Sequence, residues 1–100
     1  MNNLTKRIEI LKTGIDLTTG DRQASYGSFY ENLTALSELK ALYDKYALGK
    51  YSGQHDQAIH YALTKLSRIM CGKYKEDNYV DLAVYIAAAA EAESQTLMPF

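Results

Sequence analysis

A chain of 100 residues makes one domain, with roughly two-thirds of its unfolded surface available for burial. Eleven basic against twelve acidic residues leave a formal net charge of −1, without the basic face of a phosphate-backbone binder, so no nucleic-acid partner is expected. The single cysteine, Cys71, rules out an internal disulfide and points to a reducing compartment. No apolar run reaches a membrane span and the N-terminus lacks a signal-peptide core, so a cytoplasmic chain with no membrane partner is expected.

In chain order, Leu4, Ile8, Leu11 and Ile15 recur at spacings of three and four, one face of a short helix over 4–15. Thr13-Gly14 and Thr18-Thr19-Gly20 weaken and end it, and 16–27 reads as a Thr/Gly/Asp/Ser loop. Ser28 and Glu31 fit a capping box that opens a second helix, for which Gly49 is a natural stop. Its apolar face collects Phe29, Leu33, Leu36, Leu39, Tyr43 and Tyr46. A third helix is predicted over 54–71 with Gly72 as its stop and Ala58, Ile59, Ala62, Leu63, Leu66, Ile69 and Met70 facing the core. Asp77 is expected to cap a fourth helix. The short loop 73–76 makes helices three and four antiparallel neighbours. No alternating strand pattern is present. The reading is an all-α small helical bundle of three long helices and a short N-terminal one: residues 1–27 helix and loop, 28–95 the core, 96–100 an apolar tail. That tail, Leu97-Met98-Pro99-Phe100, is a frayed end or docks on a neighbouring subunit.

The fourth helix carries the main signal. Val80, Leu82, Ala83, Val84, Ile86, Ala87 and Ala90 spread most of the way around it at about 100° per residue. Only Asp77, Asp81, Tyr85 and Asn78 form a polar stripe. A helix apolar nearly all round is expected to be buried, and buried carboxylates need a cation, a metal or several hydrogen bonds. Lys65 and Arg68 on helix three are placed to reach Asp81, either as a structural ion pair or as phosphate ligands, while Asp77 and Asp81 hold Mg²⁺ or a sugar hydroxyl. Asn32 projects from the middle of the apolar face of helix two, where an unpaired amide costs about 1–3 kcal/mol. It needs a core partner or a ligand. Asp56 lies one turn before His60 and is placed to orient it. Arg22 and Tyr26 sit in the loop before a helix N-terminus, where free amides favour an anion and a tyrosine can stack on a base. The chain has no Gly-rich phosphate loop, H-E-x-x-H or nucleophile elbow. Nine tyrosines, apolar in body and polar at the tip, suit pockets and interfaces.

The series Asp21-Arg22, Tyr26-Gly27, Glu31-Asn32, Asp56, Lys65-x-x-Arg68, Asp77-Asn78-x-x-Asp81 and Tyr85 resembles an uncharacterised family of small proteins of tailed phages and prophages. The resemblance spans residues 21–91 and implies a viral origin and the host cytoplasm as the place of action. More distantly, the chain is similar to MazG-like all-α nucleotide pyrophosphatases, which hold Mg²⁺ with E-x-x-E and E-x-x-D motifs. Asn78-Tyr79-Val80-Asp81 matches the second with asparagine in place of glutamate, and the first has no good match. The similarity implies nucleotide binding and oligomerisation.

The expectation is a phage-encoded, non-catalytic homo-oligomer that binds a nucleotide or nucleotide-derived signal, such as a host immune messenger. Arg22, Lys65 and Arg68 meet phosphate, Tyr26 and Tyr85 stack or hydrogen-bond, and Asn32, Asn78 and Asp81 read polar edges. One rival is a Mg²⁺-dependent pyrophosphohydrolase using Asp77, Asp81, Glu31 and Glu91. The other is an inhibitor or structural protein acting on a host defence protein through its tyrosine-rich surface.

Overall fold

The computed structural model describes residues 3–18 and 28–97, which form helices α1 (Asn3–Thr18), α2 (Phe29–Ala47), α3 (Gly53–Cys71) and α4 (Glu76–Leu97) and the turns between the last three. No strand occurs among the described residues, so the chain is a small all-α bundle. Arg22, Tyr26 and the tail residues Met98, Pro99 and Phe100, all singled out above, lie outside the described residues.

Local chemistry explains the helix ends. The Ser28 hydroxyl accepts from the Glu31 backbone N–H at 3.0 Å, satisfying a free amide at the start of α2. Ser52 does the same for α3, accepting from the His55 N–H at 3.1 Å. The chain leaves α2 through Gly49, whose φ of 79° favours glycine. Gly72 does follow α3, but its φ is −114°, an ordinary conformation, so no left-handed residue is needed there. α4 begins at Glu76, which puts Asp77 in its first turn and not at the cap, and both acids face the positive end of the helix dipole. α1 runs on to Thr18, past Gly14, so the glycine is tolerated inside the helix.

Packing centres on α3. It lies antiparallel between α4, its main neighbour, and α2, while α1 packs extensively on none of the three. Tyr43 meets Asp56 and Glu31 meets Cys71 across α2–α3; Lys65 meets Asp81 and Ser52 meets Glu93 across α3–α4. The core is thin. Among the described residues only Ala47, Ala62 and Ala89 are buried apolar ones, with Ser67 and Asn78 as buried polar ones. Leu36, Leu39, Leu63 and Leu66 are half-buried, whereas Phe29, Leu33, Tyr46 and Met70, expected in the core, are exposed. The radius of gyration is 17.1 Å, against about 13 Å for a compact domain of this length.

The expectation of a buried α4 fails in an informative way. Asn78, Asp81 and Tyr85 of its polar stripe face α3 while Asp77 is exposed, and Val80, Val84 and Ile86 face out: Asn78 is 3 % exposed and Val84 58 %. Ala89 and the half-buried Leu82 turn toward α3 with these polar residues, and the branched Val80, Val84 and Ile86 are left exposed. No helix among the described residues is long and apolar enough to cross a membrane.

Candidate functional site

The polar stripe of α4 and the facing side of α3 form a groove. Lys65 Nζ lies 3.0 Å from Asp81 Oδ2, with the lysine side chain 19 % and the aspartate 44 % exposed. One helical turn away, the rings of Tyr61 and Tyr85 stack with centroids 5.2 Å apart. That stack walls a cavity of about 550 Å³ completed by Gly53, Gln54, Gln57, Ala58 and Ala88. The size falls within the usual range for small-molecule sites. Its wall offers one flat aromatic platform and two amide side chains. In the first turn of α4, Asn78 is buried, and its Nδ2 has no hydrogen-bond acceptor among the described residues.

Of the candidate residues, the fold therefore brings Lys65 and Asp81 together, with Tyr85 one turn on and Asn78 on the same inward side of α4. Arg68 is half-buried on α3. Asn32 turns back on its own helix: its Nδ2 donates to the Ser28 carbonyl at 3.0 Å, joining the Asn32 backbone N–H on the same oxygen. Asp77 and Glu91 are exposed. No group of three His, Cys, Asp or Glu side chains among the described residues converges as a metal site would require.

A second cluster, between the end of α2 and the start of α3, is invisible in the residue spacing. Tyr43 Oη donates to Asp56 Oδ1 at 2.6 Å. The phenol has one hydrogen, so its 3.0 Å contact with His55 Nδ1 places a hydrogen on that nitrogen, which donates to the phenol oxygen. Tyr51 stacks on the His55 ring at 4.1 Å, and Tyr43 meets the His60 ring edge-on at 5.9 Å. Burial pushes the Tyr43 phenol well above its ordinary value, and the hydrogen bond to Asp56 and that carboxylate's charge push it further. His60 pairs with Asp44 of α2 at 3.4 Å and not with Asp56, which Tyr43 occupies. A hairpin argument, setting the last turn of α2 on the first turn of α3, is the signal that finds this cluster.

The fold and groove define a small helical protein with a concave, aromatic-walled site between antiparallel helices. The chain belongs to the family described as Domain of unknown function (DUF6378), whose model matches residues 9–93. The match agrees with the expected uncharacterised family. No curated protein and no solved structure matches the chain.

Proposed function

We propose that the protein is a non-catalytic binder of a nucleotide or nucleotide-derived signal seated in the α3–α4 groove. One observation carries the reading: a cavity of about 550 Å³ walled by the Tyr61–Tyr85 stack lies one turn from the Lys65–Asp81 pair. A planar base fits the aromatic wall, where offset stacking adds about 0.5–1.5 kcal/mol beyond area burial. Gln54 and Gln57 each carry a donor and an acceptor for its edge. Lys65, one turn along α3, supplies the charge for phosphate, with Arg68 beyond it. Asp81 holds the ammonium in position beside the groove. Carried by a phage, as the sequence resemblance implies, such a binder would withhold a nucleotide messenger of host immunity from its effector in the host cytoplasm.

Isothermal titration of the full chain with AMP, ADP, ATP and cyclic mono- and dinucleotides tests the reading. Saturable binding that is lost in Tyr85→Ala and Lys65→Ala is expected. Ligand at a hundredfold its Kd stabilises by about 2.7 kcal/mol, which raises the melting temperature by about 13 °C. No heat and no thermal shift across the panel overturns the proposal.

A further inference from the structure

We infer that the outward face of α4 is an interface with a second copy of this chain, and that the partner's α1 is the element lying on it. This stands independently of the ligand reading.

The face is large, apolar and free of charge through its middle. Tyr79, Val80, Val84 and Ile86 are exposed large side chains, and Ala83, Ala87 and Ala90 lie exposed among them. The alanines leave room for close approach of another helix backbone. Acids close the stripe at its ends, Glu76 and Asp77 at one and Glu91 at the other.

The area asks for a partner of subunit size. The chain exposes 7546 Å², roughly 1,800 Å² more than a compact monomer of its mass. An obligate dimer buries about 1,000–2,500 Å² on each subunit, which matches that excess.

The chemistry selects α1. Ile8, Leu11 and Ile15 lie on one face of α1 and are exposed, Leu11 at 67 %, and no other helix of the chain packs extensively on α1. Arg7 and Lys12 border that face on either side, so the apolar strip of α1 is edged by cations where the strip of α4 ends in acids. A second α4 is the poorer occupant, because antiparallel pairing sets Glu91 against the partner's acids at the start of its α4. Reciprocal exchange of α1 across a two-fold axis covers both exposed faces in one closed dimer.

Light scattering after size exclusion tests the surface on the full chain. Twice the 11.2 kDa chain mass is expected, and a single-chain mass overturns the inference. Val84→Asp places a charge in the middle of the interface and is expected to raise the dimer dissociation constant by about 100-fold. A folded Val84→Asp chain, helical by circular dichroism, that stays dimeric at wild-type dilution refutes the surface. A second variant covers the case of misfolding: Leu11→Cys with Ala87→Cys in a Cys71→Ser background, oxidised and run without reductant. A covalent dimer is expected. An internal link within one chain, or no link, overturns α1 of a second copy as the occupant.

Discussion

Asp81→Asn separates a binding site from a metal site. At 3.0 Å the Lys65–Asp81 attraction is about 1.4 kcal/mol if water sets the dielectric, and Asp81 is 44 % exposed, so water does much of the screening. Exposed ion pairs contribute about 0–1 kcal/mol, so the substitution costs less than about 1 kcal/mol of stability. Its effect on a phosphate ligand has the opposite sign. The amide no longer repels the anion, and Lys65 is released from its carboxylate. Together these are worth about 1–2 kcal/mol, or 5- to 30-fold tighter binding at low salt. Titration of wild-type and Asp81→Asn chains with the nucleotide selected by the panel reads the difference. Repeating it at raised ionic strength should shrink the gain, because salt screens exposed charges. Weaker binding in Asp81→Asn refutes the reasoning and gives Asp81 a direct role as ligand or metal contact.

Tyr43→Phe removes a donor to a carboxylate and an acceptor for His55 at once, and a stability loss of about 2 kcal/mol is expected in urea titration at fixed protein concentration. The Tyr43 phenol is raised in the folded chain, so its contribution is fully present below the ordinary phenol value of 10.0 and is lost as pH rises through the folded value. Stability should therefore fall above pH 10.0 more steeply in the wild type than in Tyr43→Phe, as denaturant midpoints across alkaline buffers will show. Ser52→Ala deletes the acceptor for the His55 N–H and should cost about 1 kcal/mol by thermal melting, whereas Ser52→Gly should cost only a few tenths.

Helix periodicity and cap chemistry are short-range properties, so the four helices, the Ser28 cap and the Gly49 turn are legible along the chain. The short loop before α4 likewise implies the antiparallel pairing that puts Lys65 beside Asp81. Which face of α4 turns inward is not decided locally. A helix with branched apolar residues and alanines on one side and a polar stripe on the other can bury either, and the choice rests on what α3 presents. α3 offers Lys65 and Tyr61, so the polar side of α4 is the one that finds partners. The Tyr43–His55–Asp56 cluster is tertiary in the same sense, because a turn between helices brings together side chains twelve and thirteen residues apart. Residue order alone thus specifies an all-α chain with a polar strip on its last helix, because periodicity is a local property. Only the packing on α3 decided that this strip lines a groove and that the apolar side is left facing outward.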